Sequence, residues 1–588
     1  MNDKRRNYPR PQLMRDEWID LDGQWNFKFD DVNQGEKERW FESTLEETQV
    51  INVPFTYETI ASGIHDEIQH PIVWYQNTVQ LDDLDYVLNF EASDYITSVW
   101  LNGFKLGDHI GGYTRFSFDL HDYAVIGDNV ITVKVTDSLS TNQPRGKQRW
   151  LKDNFGCWYV QTTGIWKSVW IEKAKQTRVN QVKLVADLPK DQINITLDLN
   201  QNLLNLLEKE ELTVKLEASI ENQIADSVKL PLTREMKTYV LDTKVGIDDT
   251  WGTRVWHPYH PNLYDLTVTI TDEQDEVIDH FVSCFGMRTI EVQGDQVIIN
   301  KRGLYQRLVL DQGYWPESGL TPPSVEALEL DIQRTKELGY NGLRKHQKIE
   351  DERFLYLCDK NGMLVWSEMP SHYSFSDKSV EAVTDEWIRI IRQFQNHPSI
   401  ITWVPFNESW GIKNIQDDKE QQAFVNGIYY LTKAIDPTRL VVTNDGWEHT
   451  ISDVITLHDY DAVGEELLAR YSNKDAIVNN QVQFNKDWYA FAKGYNYQGQ
   501  PVIISEFGGI AFEDGSGWGY GEKMSDEESF MERFDAIHLA IQKIPYVSGY
   551  CYTQLTDVEQ EVNGLLFTNR EFKLPVEPIK KINERRTR

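Results

Sequence analysis

Apolar and polar positions alternate with a period of two through the first half of the chain and move to helical spacing in the second. Up to about residue 173 the alternating runs are short and broken by turn signals. Ser98-Val99-Trp100-Leu101 leads into Asn102-Gly103, and Gly127-Asp128-Asn129 precedes Val130-Ile131-Thr132-Val133-Lys134-Val135. Asn-Gly between apolar runs signals a hairpin, and many short strands joined this way predict a β-sandwich. Strict alternation continues at 193–199 and 264–271, which predicts a second, smaller sandwich of immunoglobulin-like size over 174–289.

Beyond residue 290 strand-like runs alternate with helical stretches. Trp387, Ile390, Ile391 and Phe394 share one helix face, and Asn396-His397-Pro398 ends that helix. A second helix over 351–361 is closed by Gly362. Strands are expected at 305–310, 342–346, 363–366, 400–405, 440–443, 454–458, 502–505 and 547–552. Repeated β–α units of this number predict a (β/α)8 TIM barrel over 290–588. The expected fold is multidomain, two β-sandwiches followed by a barrel.

Composition narrows the partners. Sixty Lys and Arg against 92 Asp and Glu give a net charge of −32. A field of that sign repels phosphate backbones and anionic lipid, so neither nucleic acid nor membrane is an expected partner. No apolar run reaches the ~20 residues of a membrane span. The N-terminal residues carry basic side chains without an apolar stretch behind them, so a secretory signal is not expected. The four cysteines are far apart and form no CxxC pair, which suits a reducing compartment and a cytoplasmic location. The pattern neither requires nor excludes a homo-oligomer.

Barrel active sites lie at the C-terminal ends of strands. The fourth expected strand runs into Phe406-Asn407-Glu408-Ser409-Trp410-Gly411 and the seventh into Glu506-Phe507-Gly508-Gly509. Their separation of 98 residues is close to three units of about 36 residues, so both glutamates fall on one rim. Two carboxylates facing across a cleft suit glycosidic bond cleavage, one protonated to assist the leaving oxygen and one ionised.

The stretch from Asn396-His397-Pro398 through Phe406-Asn407-Glu408 resembles the acid/base signature of glycoside hydrolase family 2, the β-galactosidases, β-glucuronidases and β-mannosidases. Tyr8-Pro9-Arg10-Pro11, Leu21-Asp22-Gly23-Gln24-Trp25, Val99-Trp100-Leu101-Asn102-Gly103 and Gly111-Gly112-Tyr113 resemble that family's jelly-roll sugar-binding domain. Pro261-Asn262-Leu263-Tyr264 and Phe285-Gly286-Met287-Arg288 resemble the end of its immunoglobulin-like domain. The resemblance implies a jelly roll over 1–173, an immunoglobulin-like sandwich over 174–289 and a catalytic barrel over 290–588. It further implies Glu408 as general acid/base, Glu506 as nucleophile of a retaining reaction, Asn407 as a ligand of the sugar 2-hydroxyl, and Tyr460 as the tyrosine that orients the nucleophile.

Two departures stand out. The family's Asn-x-x-Arg-x-x-His-Tyr-Pro reads here Asn341-Gly342-Leu343-Arg344-Lys345-His346-Gln347-Lys348, so Arg344 matches while His346 comes one position early. The Asn-x-Lys with which β-glucuronidases hold a carboxylate has no lysine in Glu561-Val562-Asn563-Gly564-Leu565-Leu566. Trp315 and Tyr552, near the ends of the first and last barrel strands, are candidates to stack on a sugar face, with packing under a loop the stronger alternative for either ring alone. Glu368 and His372 are four apart but flank Met369-Pro370, so no metal is expected. No other cofactor is expected, as no glycine-rich phosphate loop is present. The expectation is a retaining exo-glycosidase acting on a terminal β-linked sugar of a carbohydrate substrate, β-galactoside first. β-Glucuronidase, β-galacturonidase and a non-catalytic carbohydrate-binding protein are the other readings. The last would have a broken carboxylate pair, and a metal-dependent barrel hydrolase would cluster His and Asp at several strand ends, where only His346 and His458 qualify.

Overall fold

The computed structural model describes residues 3–234, 238–246, 252–513 and 516–585. The chain up to Lys173 forms two antiparallel sheets over one core. Six strands pair in the order Gln49–Val53, Gly23–Phe29, Ile72–Leu81, Gly127–Thr136, Ile96–Leu101, Phe104–Ile110. Four more pair in the order Trp18–Asp20, Val169–Lys173, Tyr86–Phe90, Phe116–Asp119. Trp25, Phe27, Tyr75, Leu88, Phe90, Val99 and Val133 fill the space between them. Asn102 and Gly103 make the expected hairpin, both at positive φ (51° and 87°) as a two-residue type I′ turn requires. Gly127-Asp128-Asn129 does not form a turn. These residues open a ten-residue strand, because Ile72–Leu81 offers hydrogen-bonding partners along its full length.

The next unit pairs Val179–Asp187, Gln192–Leu199 and Thr238–Asp242 in one sheet. Gln223–Leu232, Leu212–Ile220, Tyr264–Thr271 and Val277–Phe285 form the other. Ile193, Ile195 and Leu197 are buried while Asn194 and Thr196 are half-buried, the two-residue period read from the sequence.

Eight parallel strands follow: β1 (Gln306–Asp311), β2 (Gly342–Lys345), β3 (Leu364–Glu368), β4 (Ile400–Val404), β5 (Leu440–Val441), β6 (Ile455–His458), β7 (Val502–Gly508) and β8 (Val547–Thr553). They pair in the order β5-β4-β3-β2-β1-β8-β7-β6. Alternate residues belong to different cores. Leu308, Leu310, Leu364, Trp366, Ile401, Val404 and Ile503 pack inside, while Val309, Val365, Ile400, Trp403 and Ile504 pack with the surrounding helices. The helix Asp377–Phe394 buries Trp387, Ile390, Ile391 and Phe394 as expected. The helix Glu352–Asn361 ends at Gly362, at φ 67°, where a Cβ would lie 2.2 Å from the Pro258 carbonyl oxygen.

Two boundaries matter for the site. Strand β7 runs to Gly508, so Glu506 lies within a hydrogen-bonded strand rather than after one. Strand β4 stops at Val404, and a second short parallel pair, Phe406–Asn407 with Asn444–Asp445, carries the chain to Glu408. The first domain also reaches the barrel. Its 137–163 loop docks by Arg145 and Gly146 N–H groups donating to the Ser371 carbonyl at 2.9 and 3.0 Å.

Candidate active site

Glu408 stands on a left-handed turn: φ is 49° at Glu408 and 55° at Ser409. Non-glycine residues rarely adopt this region, and the surroundings hold it here. The Glu408 N–H donates to the Asp445 carbonyl at 2.9 Å, and the Ser409 N–H donates to Asn444 Oδ1 at 3.0 Å. The turn leaves the Glu408 side chain 18% exposed, against 6% for Glu506. One carboxylate oxygen of each, together with a ring nitrogen of His458, lies within 4.8 Å of the others.

The two carboxylates live in opposite electrostatic settings. Burial raises the Glu408 carboxyl above its ordinary value and the charge of Glu506 raises it further, with His458 pulling it partly back. Burial alone would raise Glu506 too, but His458 and Arg344 hold it below the usual carboxylate range. Arg344 Nη1 donates to Glu506 Oε1 at 2.7 Å, and the Tyr460 hydroxyl donates to Glu506 Oε2. Burial and the neighbouring carboxylate push the Tyr460 phenol far above its ordinary value, which keeps it a donor.

Arg344 is fully buried and ties the pocket floor together. Its Nε donates to Glu368 Oε2 at 2.7 Å, Nη1 lies 2.8 Å from Asp445 Oδ2, and Nη2 donates to Asn407 Oδ1 at 2.7 Å. That last bond fixes the Asn407 amide and leaves Nδ2 buried without a partner among the described residues. Buried donors are seldom left so; here it is available to a bound hydroxyl. His346 Nδ1 lies 3.2 Å from Arg344 Nη2 and 3.0 Å from Glu368 Oε1. Burial, Lys147 and Arg344 hold its pKa well below the ordinary value, so the ring is neutral.

Glu408, Glu506, Asn407, Arg344, Tyr460 and His346 thus come together. Trp315 and Tyr552 do not join them, which corrects the expectation of sugar stacking. The Tyr552 ring is fully buried against Phe507, Phe534 and His538, on the helix side of β8. Trp315 is 5% exposed, with Lys348 and Arg570 each 4.8 Å from its ring centroid. Neither ring has a face open to a sugar. Aromatic walls come instead from Trp410, 5.4 Å from Trp158 and 5.7 Å from Tyr373 between ring centroids.

His458 is the main residue that sequence reasoning left without a role, although its place at a strand end was visible. Its Nδ1 lies 2.8 Å from Glu408 Oε1 and 3.5 Å from Glu506 Oε2, and Nε2 lies 3.1 Å from Asp445 Oδ2. Burial disfavours its charge, yet Glu506 and Asp445 push it up to about 10. With Nδ1 and Nε2 both within reach of carboxylate oxygens, the trio forms a hydrogen-bonded cluster. Glu368 is turned to Arg344 while His372 packs against the Phe406 and Phe424 rings, so that pair does not form a metal site either.

Comparison with known proteins agrees along the chain. Residues 19–174 match the sugar-binding domain of glycosyl hydrolases family 2, 177–288 match the family's central domain, and 290–582 its TIM barrel domain. A β-galactosidase of Thermoanaerobacter pseudethanolicus is 28% identical over 402 residues, covering 66% of this chain and 51% of that protein. The chain therefore spans about half the length of that relative. A β-glucuronidase of Paenibacillus borealis is 23% identical over 591 residues, 92% of this chain and 91% of the relative. The crystal structure of Ruminococcus gnavus β-glucuronidase superposes with a TM-score of 0.77 at 18% identity, covering 97% of this chain and 98% of that one. With its three domain types matched in order over nearly the whole sequence, the chain belongs to glycosyl hydrolase family 2.

Proposed function

We propose that the chain is a retaining exo-glycosidase that releases a terminal β-linked sugar, a β-galactoside first, with Glu408 as acid/base and Glu506 as nucleophile. The observation that carries this reading is the pair itself: two carboxylates with oxygens within 4.8 Å, one raised and one lowered in pKa. Oxygens this close favour the short separation of retaining enzymes, ~5–5.5 Å, over the ~6.5–9.5 Å of inverting ones. Glu506 Oε attacks the anomeric carbon while Glu408 gives its proton to the departing glycosidic oxygen, leaving a glycosyl ester on Glu506. Esterification removes the Glu506 charge that raised Glu408, so Glu408 becomes the better base for the water that then attacks the same carbon. That water's oxygen enters the sugar, its proton goes to Glu408, and the Glu506 carboxylate is restored.

Asn407 Nδ2 would donate to the 2-hydroxyl, and Arg344 and Tyr460 hold the nucleophile's two oxygens. The preference for galactoside rests on the missing lysine between Glu561 and Leu566. A panel of aryl β-galactoside, glucuronide, glucoside, mannoside and galacturonide tests the reading. Turnover of one member, lost in Glu506→Ala, is the expected result; near-normal turnover in that variant would overturn it.

A further inference from the structure

The 137–163 loop places an ammonium group in this pocket. Lys147 is 5% exposed, and its Nζ stands 5.1 Å from the Trp410 ring centroid and 3.9 Å from Glu561 Oε1. The half-buried thiol of Cys157 beside it helps to keep it charged, and one thiol cannot use all three ammonium protons. The same Trp410 ring lies 6.3 Å from that of His346 between centroids, which puts Lys147 at the pocket's edge, near enough for its charge to act on Glu408 and His346. Glu561 comes from the segment after β8. It accepts from the Tyr159 hydroxyl and from Gln554 Nε2, the latter at 3.1 Å. Its charge helps to raise the phenol of Tyr520, whose ring stacks 3.4 Å from that of Tyr460, beside the nucleophile.

A gap of 3.9 Å is too long for a direct N–H···O bond of 2.7–3.2 Å. It suits a third atom that both accepts and donates. A sugar hydroxyl does this: its oxygen accepts a proton from Lys147 and its own proton goes to Glu561. A sugar carboxylate could accept from Lys147 but has no proton for Glu561, and would meet a like charge.

Resting on the glycosidase reading, we propose that Lys147 and Glu561, walled by Trp410, form a hydroxyl-reading subsite that selects an uncharged sugar over a uronic acid. The first domain thereby contributes a specificity determinant that the barrel lacks by itself. The cation–carboxylate pair makes the subsite neutral, and a buried pair left half-matched by a ligand discriminates strongly.

The experiment compares kcat/KM for aryl β-galactoside and aryl β-glucuronide in wild type, Glu561→Gln and Lys147→Met, with 3-, 4- and 6-deoxygalactosides as probes and thermal melting as the folding control. Wild type should favour the galactoside. Glu561→Gln should raise the glucuronide-to-galactoside ratio at least about tenfold, because the repelling charge is gone. Lys147→Met should lower galactoside kcat/KM about 10- to 100-fold and abolish the penalty for deoxygenation at one ring position. If Glu561→Gln does not fold, the deoxy-sugar comparison in Lys147→Met decides alone. A wild type that prefers the glucuronide, an unchanged ratio in a folded Glu561→Gln, or deoxy penalties untouched by Lys147→Met would each overturn the subsite while leaving the glycosidase reading intact. No turnover of either glycoside, or of any member of the wider panel, would overturn both.

Discussion

Glu408 and Glu506 are chemically identical, and their neighbours alone set their proton affinities apart. His458 touches both: it lowers Glu408 from the height that burial and Glu506 impose, and it is the largest influence opposing burial at Glu506. On the proposed mechanism the free enzyme needs Glu506 ionised and Glu408 protonated. Activity is therefore lost at low pH as Glu506 takes a proton and at high pH as Glu408 loses one. Replacing the His458 cation by asparagine removes a positive charge from beside both carboxyls, so both pKa values rise. Both limbs of the kcat/KM profile for His458→Asn should move to higher pH; a fixed profile or an acid shift would remove His458 from this role. For Glu408→Gln, alkyl glycosides should slow by about 10² to 10⁴, the usual worth of general acid catalysis. Activated aryl glycosides, whose leaving groups depart without a proton, should slow far less in their first step.

At the level of elements, much of the architecture was legible because it follows simple periods. The period-two runs became sandwich strands, the 387–394 spacing became a buried helix face, and all eight expected barrel strands exist. Side-chain direction inside the barrel was not legible. A parallel strand covered on both faces is apolar throughout, so nothing in 547–552 said whether Tyr552 points to the pocket or to the helices. Lys147 lay further out of reach, because no local pattern reveals that a loop from a distant sandwich closes over a barrel mouth. That loop is seated by Gly146, at φ 61°, where an added Cβ would lie 2.3 Å from the Gln347 carbonyl oxygen. Backbone cannot yield as a flexible side chain can, so Gly146→Val should push the loop off the rim. A 1 Å displacement of positioning groups costs about 10²-fold in rate. A fall of that size in kcat/KM, with the melting transition still cooperative, is the expected outcome; wild-type kinetics would show that the loop's seat does not matter.

Across the whole molecule, the sandwich and barrel are joined by buried charge as well as by loops. Arg115 pairs with Glu91 of its own domain and with Glu352 of the barrel, and the Lys167 ammonium donates to the Ile349 and Glu350 carbonyls at 2.9 and 3.1 Å. These contacts hold the first domain against the barrel and so keep the 137–163 loop over the pocket. The chain as a whole carries a formal net charge of −32. At 0.01 M salt the screening length is about 30 Å, and at 0.15 M about 8 Å. An anionic substrate approaching at low salt therefore meets the repulsion of much of the molecule, and at physiological salt meets only the pocket. A neutral substrate meets neither. Raising NaCl from 10 to 200 mM should lift kcat/KM several-fold for any aryl glucuronide turnover and leave aryl galactoside turnover flat. If glucuronide turnover falls with salt instead, the local field at the pocket mouth is positive and outweighs the global charge. Lys147 would then act as an attractor of anions rather than as half of a neutral pair, and the preference for uncharged sugars would have to be given up.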